Sequence, residues 1–513
     1  MSRARLVIRC VAALSGATLL LTACSSVDTG DRAAASGFNI SEADRNGSLV
    51  YGSQMVDRTL DPLDARSSNY ITELAPIFDT LMRMNPDGEL EPGLAEGYEI
   101  VDSRTMRLTL REGVEFSDGE PLDAEAIRTN LLRVRDAESP ELNVVMQEIE
   151  DVVVESPTTL VVKLHNPVVS EFVHVLYSME TMPVSPAQLE NASDEVDSAP
   201  IGAGPYRVVG YSPNQRVELE RIEDHWDAEN WPIKKLTFQN VMDGAPTVTA
   251  LASGDIDMAR TGDVSLLKSI QSNPNLQVAT KPGMALFYIN YCKSRAPFDD
   301  PDARRAVALG LDRELLAKTL TAEEGTVAYQ VFPESSPNYN PDAVTKFDPA
   351  AARDLLGGKP LEFDLRYNIV LASAGQKLAE IMQAQLAEAG ITMNPLLGEN
   401  SEQLFGDQTD AVLTASTLQG IQKVTRQLGP DAVPNLCKYN NDGFNDLTAT
   451  IAAADPSSTE ATDAWREVAA LIDETQLFTP LFFLTSIAAF DGTKVNSAAF
   501  TQTPTDFRYV YVK

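Results

Sequence analysis

The chain has 513 residues, of which 43% are hydrophobic and 22% are charged, and its formal net charge at pH 7 is −33. This length predicts two or three domains, and the composition is that of a folded globular protein. The negative charge excludes nucleic acid as a partner, because phosphate binding requires basic patches. A solvated acidic surface is the simplest interpretation of the charge, and a cationic ligand is the alternative.

The N-terminal residues predict export. Three arginines within the first nine residues precede the apolar run Val11–Leu21, which is shorter than the roughly 20 residues of a transmembrane helix. The next residues, Leu21–Cys24, resemble a bacterial lipobox, and this resemblance implies cleavage before Cys24 and lipid attachment to its thiol. We therefore expect a signal peptide over 1–23 and a lipidated flexible stalk over 24–47. The alternative is an ordinary secretory signal followed by an incidental cysteine.

Two cysteines remain for the folded body. Cys10 leaves with the predicted signal peptide and Cys24 carries the predicted lipid, so Cys292 and Cys437 are left. Cysteines of an exported protein meet an oxidising environment, in which a remaining pair tends to form a disulfide. We expect a Cys292–Cys437 bridge, with two separate buried thiols as the alternative.

The first half of the body predicts mainly strands. Leu49–Gly52 is a candidate first strand, and the apolar spacing over Asn69–Met84 predicts a helix. Apolar residues alternate over Met106–Leu110 and again over Leu160–Leu164, so each of these strands is expected to bury one face. Asp123 is well suited to cap a helix between them.

The second half predicts alternating helices and strands, which favours an α/β domain. Lys281–Tyr291 is a strand-like connection, and Asp300 then caps a helix that buries Val307, Leu311 and Leu315 on one face. Asp348 starts another capped helix. The later elements are predicted at Leu361–Ile369 (strand), Gln376–Ala389 (helix), Leu481–Ile487 (apolar run) and Arg508–Val512 (terminal strand).

Three stretches carry a family resemblance. Ser198–Asp257 has a Gly-x-Gly-Pro turn, alternating strands and a tryptophan-bearing loop; Leu90–Ile127 contains LREGVEFSDG; and Arg295–Arg313 contains PFDD before a helix ending in LDR. Together they resemble the bacterial extracellular solute-binding proteins of family 5, the oligopeptide, dipeptide and nickel receptors of ABC importers.

The resemblance implies an α/β, two-lobed periplasmic-binding-protein-like fold of the cluster C type, with an extra subdomain on the first lobe. The implied division is lobe I over 48–60, 195–280 and 492–513, the extra subdomain over 61–194, and lobe II over 281–491.

The resemblance also implies a function without catalysis. A monomer would capture an oligopeptide-like solute by hinge closure and deliver it to a permease pair powered by separate ATPase subunits. We expect neither a cofactor nor a metal site, and an extracytoplasmic location with the lipid as the membrane tether. A glycan, an amphiphile, haem or a metal chelate are alternative solutes, and an extracytoplasmic hydrolase is the alternative of a different class.

Cleft residues are expected where strands end near the lobe crossovers, and ordinary packing is the alternative for each. The candidates are Tyr51, Gln54, Tyr288, Asn290, Ser416 and Gln419. Peptide receptors of the family usually hold the ligand's amine with an acid in a segment that corresponds to Asp410–Gly420 here. This segment lacks the expected tryptophan and acid, and Gln419, Gln422 or Lys423 would favour a longer, capped or anionic ligand.

Catalytic motifs are weak throughout. The three histidines, His165, His174 and His225, have no metal-ligand spacing. Ser265 and Lys268 match the Ser-x-x-Lys of penicillin-binding enzymes, but the later Lys-Thr/Ser-Gly element is missing, so a surface helix is the better interpretation.

Overall fold

The structure is a computed structural model that describes residues 39–513, except 55, 57, 65–70, 86–87, 138–143, 321–324, 369–371, 419–420, 430–431, 433 and 498–504. The predicted signal peptide, Cys24 and most of the predicted stalk lie outside the described residues. Within the described part of the chain, no helix has both the length and the apolar character needed to cross a membrane.

Strands and helices alternate along most of the chain. The strands are β1 (Ser48–Ser53), β2 (Met82–Met84), β3 (Leu90–Pro92), β4 (Ala95–Asp102), β5 (Thr105–Leu110), β6 (Ile149–Ser156), β7 (Thr159–Leu164), β8 (Tyr206–Ser212), β9 (Arg216–Arg221), β10 (Lys235–Asn240), β11 (Met258–Thr261), β12 (Leu276–Tyr291), β13 (Thr326–Val327), β14 (Leu361–Asn368), β15 (Ile391–Gly398), β16 (Ala411–Thr417), β17 (Phe478–Asp491), β18 (Val495–Ser497) and β19 (Val510–Val512). The α-helices are α1 (Ile71–Phe78), α2 (Ala124–Arg135), α3 (Val169–Val175), α4 (Pro186–Asn191), α5 (Ala245–Ser253), α6 (Leu267–Gln271), α7 (Pro301–Leu309), α8 (Arg313–Leu320), α9 (Pro349–Leu356), α10 (Ala372–Glu388), α11 (Ser401–Phe405), α12 (Ile421–Leu428), α13 (Asp442–Ala453) and α14 (Thr459–Thr475).

One mixed sheet of eleven strands runs through both lobes. Its order is β15-β14-β16-β12-β17-β11-β1-β10-β9-β8, with β13 paired to β17. We use lobe I for the half with β11, β1, β10, β9 and β8, and lobe II for the half with β15, β14 and β16. The long strands β12 and β17 belong to both lobes, so the predicted boundary between 280 and 281 falls inside β12. The division into domains stays a prediction.

The two long strands cross from one lobe to the other side by side. They pair antiparallel from Leu276 opposite Asp491 to Asn290 opposite Phe478, with a register shift just after Pro282. At this shift, a Cβ atom on Gly283 would lie 2.2 Å from the carbonyl oxygen of Leu484. Only glycine allows the two backbones to approach this closely.

The extra subdomain has its own core. The antiparallel order β4-β5-β7-β6 forms a four-stranded sheet, and α2 and α3 pack on it; we use the word subdomain for these six elements. The alternation predicted over Met106–Leu110 and Leu160–Leu164 is confirmed, because every second side chain enters this core.

The predicted helix caps are confirmed. The Asp123 carboxylate accepts a 2.9 Å hydrogen bond from the amide of Ala126 at the start of α2. Asp300 and Asp348 cap α7 and α9 in the same way, each followed by proline in the first turn. A carboxylate at this position satisfies amide groups that have no partner inside the helix.

The helix predicted over Asn69–Met84 is wrong at its C-terminal end. The helix α1 ends at Phe78, and Asp79 adopts a left-handed conformation with φ of 59°. The carboxylate of Asp79 accepts hydrogen bonds from the amide of Thr80 at 2.8 Å and from Nε of buried Arg83 at 2.9 Å. These local contacts, together with the long-range ion pair of Arg83 with Asp227, stop the helix although the apolar spacing continues.

The helix predicted after Asp300 is also divided. The first part, α7, ends at Leu309, and Asp312 caps the separate helix α8 by accepting from the amide of Leu315 at 3.0 Å. The break rotates the second helix, so the side chain of Leu315 is 48% exposed and does not share the buried face of Val307 and Leu311.

The two remaining cysteines lie together in the structure. A disulfide joins Cys292, directly after β12, to Cys437, with 5.1 Å between their Cα atoms and 145 residues between them in the chain. Cys437 and Lys438 both have left-handed backbone conformations, with φ of 59° and 49°. The bridge therefore fastens a tight turn of lobe II to the end of the crossing strand.

Replacing Gly283 with alanine is expected to destabilise the crossing. The added methyl group meets the backbone oxygen of Leu484, which cannot rotate away, so the strands must separate at a cost of about 1–3 kcal/mol. Chemical denaturation measures this loss of unfolding free energy. Gly262→Ala is the matched control, because a Cβ there has no neighbour within 4 Å; equal stability of the two variants would contradict the prediction.

Peptide mapping without reductant is expected to recover the Cys292–Cys437 bridge. Replacing both cysteines with alanine should lower the unfolding free energy by about 2–5 kcal/mol, because the bridge restricts a long loop in the unfolded chain. Chemical denaturation compares the unfolding free energy of the double variant with that of the wild-type protein. Two freely alkylated thiols in the untreated protein would refute the bridge.

Candidate functional site

Three strands of lobe I end at the same edge of the sheet. The central strand β1 pairs parallel with β10 and with β11, so Ser53, Asn240 and Thr261 end at one side. Thr261 lies opposite Ile487 of β17, close to the crossing. The carboxyl edge of the lobe I strands therefore borders the passage between the lobes.

Lobe II presents its strand ends to the same place. The strand β14 pairs parallel with β15 and β16, so all three strands end toward the same edge of the sheet; Asn368 lies opposite Gly398, and β16 continues beyond them to Thr417. Thr417 lies opposite Ala285 in β12, only a few residues beyond the crossing. Ligands of open α/β sheets bind outside the carboxyl ends of strands, and here two such edges border one cleft.

Tyr51 supports the lobe I edge from inside. Its ring is 4% exposed and makes edge-to-face contacts with Phe238 and Phe507. Its hydroxyl lies 3.1 Å from the Thr505 hydroxyl, and burial raises the pKa of Tyr51. In this conformation Tyr51 is a packing residue. Gln54, directly after β1, is exposed and donates from Nε2 to the Arg260 carbonyl oxygen at 3.4 Å.

Tyr288 and Asn290 are enclosed by contacts within lobe II. Both are 0% exposed. The Tyr288 hydroxyl donates to Oε1 of Gln427 in α12 at 2.8 Å, and Asn290 donates from Nδ2 to the Pro434 carbonyl oxygen at 2.6 Å. They join β12 to lobe II, which is the packing alternative for these positions, and the structure offers neither side chain to a ligand.

The role of Ser416 at the cleft stays a prediction. This residue is half-buried, one residue before the end of β16, and lies opposite Leu286. Gln419 lies outside the described residues, so its role stays a prediction. The helix α12 begins at Ile421, immediately after this segment.

Sequence reasoning missed Arg366. The strand β14 buries Leu361, Phe363 and Leu365 in the lobe II core, so Arg366 belongs to the opposite face, near the strand's cleft end. Its Nε atom is buried and has no hydrogen-bond partner among the residues that the structure describes. The sequence offered one signal for this residue: an arginine between apolar positions that alternate along β14, close to the end of the strand.

Charged groups also stand at the lobe I edge. Arg260 of β11 donates from Nη2 to the Ser486 hydroxyl at 2.8 Å, and burial lowers the pKa of Arg260. Glu73 is buried and accepts a 2.6 Å hydrogen bond from the Ser53 hydroxyl. The cleft border thus has both signs of charge on lobe I and a cation on lobe II.

The residues of the hydrolase alternative do not form a catalytic arrangement. Ser265 is exposed, and its hydroxyl donates to Asp263 at 2.6 Å within a local turn. Lys268 is exposed on the next short helix, α6. Among the described residues, no group of three or more His, Cys, Asp or Glu side chains is placed to hold a metal ion.

Three comparisons relate this chain to known proteins. The model of the bacterial extracellular solute-binding proteins, family 5 (middle region), matches residues 89–423. The glutathione-binding protein GsiB of Salmonella paratyphi A (strain ATCC 9150 / SARB42) is 29% identical over 344 residues, which make up 65% of this chain and 66% of that protein. The alignment thus spans slightly less than two thirds of this relative's length.

Two solved structures show the same fold. The ABC transporter substrate-binding protein CtaP of Listeria monocytogenes has a TM-score of 0.79 at 18% identity and covers 91% of this chain and 99% of its own. DppA of Helicobacter pylori, in complex with the peptide STSA, has a TM-score of 0.72 at 18% identity and covers 91% of this chain and 98% of its own. Identity this low shows the two-lobed fold alone.

Every protein named in these comparisons is a binding protein, so the hydrolase alternative has no support from them. The family model covers well over half of the chain, from β3 to the first turn of α12. The chain therefore belongs to the bacterial extracellular solute-binding proteins of family 5.

Proposed function

We propose that this protein is the substrate-binding component of an ABC importer and that its cleft holds a short peptide with free carboxylates. Glutathione, a small peptide with two carboxylates, is the first candidate, since the relative GsiB is named for binding it. The observation that carries the proposal is the Nε atom of Arg366, buried and without a partner at the cleft end of β14.

A guanidinium group is suited to this role. An unpaired buried polar group costs free energy, and a carboxylate with two oxygens can satisfy adjacent guanidinium nitrogens at once. Arg366 keeps this geometry because it extends from a strand that is paired on both sides, to Leu396 and Val412. The ligand would complete a hydrogen-bond set that the protein leaves incomplete.

Asp410, the first residue of the Asp410–Gly420 segment, does not replace the missing anchoring acid. It directly precedes β16, two residues before Val412, which pairs with Arg366. Its carboxylate already accepts from Arg295 Nη2 at 2.8 Å and from the Asp364 amide at 3.1 Å. Asp410 is therefore not available as an anchor for a free amine, and binding through the ligand's carboxylates is favoured.

Gln54 and Ser416 complete the proposed contacts, one from each lobe edge. Side chains with hydrogen-bond donors and acceptors can hold a peptide backbone while its side chains occupy open space. Binding then bridges the edges and favours the closed over the open population. The closed form would be the one recognised by a permease pair whose ATPase subunits are separate chains.

We propose that lipid at Cys24 holds this monomer at the outer face of the cytoplasmic membrane or in the periplasmic space. The lipobox-like residues before Cys24 support this anchor. One diacylated cysteine carries enough buried methylene groups for stable attachment, whereas a single acyl chain alone would be marginal.

Arg366→Gln is expected to weaken binding of reduced glutathione about 30-fold or more, since losing one partner of a buried charged contact is costly. Isothermal titration of the purified protein measures the affinity. Arg207→Gln is the control, because Arg207 is exposed on lobe I and forms a surface ion pair with Glu220.

Native mass spectrometry of the purified protein identifies the carried solute independently. A peptide is expected. If only sugar, haem or a metal chelate is recovered, and glutathione binds neither the unmodified protein nor the variant, the peptide proposal is wrong. If glutathione binds both proteins equally, Arg366 is not the anchor.

Cys24→Ala is expected to abolish lipid modification and release the protein from the membrane fraction of a bacterial expression host. Intact-mass measurement of the N-terminal peptide and fractionation check the result. Cys10→Ala, inside the predicted signal peptide, should leave both unchanged. Wild-type protein without a mass increment on Cys24 would contradict the anchor.

A further inference from the structure

The subdomain touches lobe II as well as lobe I. Helix α3 of the subdomain packs against α12 and α13 of lobe II. Val168, directly before α3, lies against the subdomain core and also against the core built around α12, α13 and α14. One side chain thus joins two hydrophobic clusters that belong to different halves of the molecule.

A charge of lobe II also acts on the subdomain. Tyr98 in β4 of the subdomain is half-buried, and Asp455 lies between α13 and α14 of lobe II. Burial raises the pKa of Tyr98, and the negative charge of Asp455 raises it further. This charge effect is consistent with the approach of the two halves, which the packing of α3 carries.

The lobe II side of this contact is connected to the cleft. The helix α12 starts immediately after the segment that ends β16, and Gln427 within it accepts the 2.8 Å hydrogen bond of Tyr288. The crossing strands join the lobes at one place, and the α3 contact joins them at another. Opening the cleft by rotation at the crossing would pull α3 away from α12 and α13.

We propose that the subdomain is a latch for lobe closure, with the surface around Val168 docking on α12 and α13 in the closed conformation. An apolar contact of this kind needs no chemistry from the solute, so it acts on the ligand-free protein as well. Val168 is partly buried at this contact, and burial of part of a valine side chain changes a two-state ratio by roughly a few-fold. The latch therefore helps to set the proportion of closed molecules before any solute binds.

Val168→Asp tests the latch, because a carboxylate at an apolar contact disfavours docking. Protein freed of copurified solute is measured by small-angle scattering and by amide exchange. The expected result is a larger radius of gyration and faster exchange across Asp442–Ala453, which lies in lobe II and does not contain the substitution. Val168→Ala should shift both measurements in the same direction by less.

Val209→Asp is the matched control, because Val209 is 55% exposed on β8 of lobe I; it should leave both measurements unchanged. A cooperative melting transition establishes that each variant is folded. If Val168→Asp does not fold, the measurements on Val168→Ala test the latch. Folded Val168 variants with the scattering and the α13 exchange of the wild type would overturn the latch. The test uses no ligand, so its failure is separate from failure of the peptide proposal.

Discussion

The close approach of Gly283 to the Leu484 carbonyl group is the constraint on which the two-lobed arrangement depends. Two strands pass between the lobes side by side, and they can do so in contact only if one backbone lacks a side chain at the shift in register. The same two strands then serve as central strands for both lobes. A single sheet therefore supplies both the connection and the two walls of the cleft.

This shared sheet explains why the cleft is lined by strand ends rather than by strand faces. The faces of β12 are occupied on both sides, with Phe287 and Ile289 in one lobe II cluster and Leu286 and Tyr288 in another. A strand buried on both faces has no surface to offer a solute. Contacts with a solute must come from residues just beyond the strand ends, such as Gln54. They can also come from residues close to the strand ends on faces that other elements do not cover.

The same fact marks the limit of what the sequence could predict. Local signals such as alternation and carboxylate caps placed most elements correctly, because a strand face or a first helical turn is decided by neighbouring residues. The end of α1 at Asp79 depended on Arg83, which pairs also with Asp227 far along the chain. Tyr288 was expected at the cleft because its position along β12 was visible, whereas the direction of its side chain depended on α12.

Arg366 is a different case. Its place on the less buried face of a strand could be predicted from the local sequence, but a role in binding could not. An arginine within an amphipathic strand usually lies in solvent, where its charge is worth little. Its buried Nε atom becomes informative only when the neighbouring strands are known to end beside a second lobe. The sequence therefore defined the family and the scaffold well, whereas the solute contacts stay predictions.

Other basic side chains are also buried in lobe II, besides the Nε atom of Arg366. Lys293, Arg304 and Arg313 are each at most 4% exposed inside lobe II, and each donates a hydrogen bond to a carbonyl or amide oxygen. Burial lowers the pKa of Lys293 to about 7. The protein thus carries basic side chains inside lobe II, although the formal net charge of the whole chain is −33.

These two distributions act over different distances. Surface charge is screened within about 8–10 Å at physiological salt, whereas charges in a poorly polarisable interior interact strongly at short range. An anionic solute is repelled by the surface at a distance and attracted only after it enters the cleft beside Arg366. Selectivity for carboxylates would then reside in the depth of the site, and the acidic exterior would serve solubility without preventing the binding of an anion.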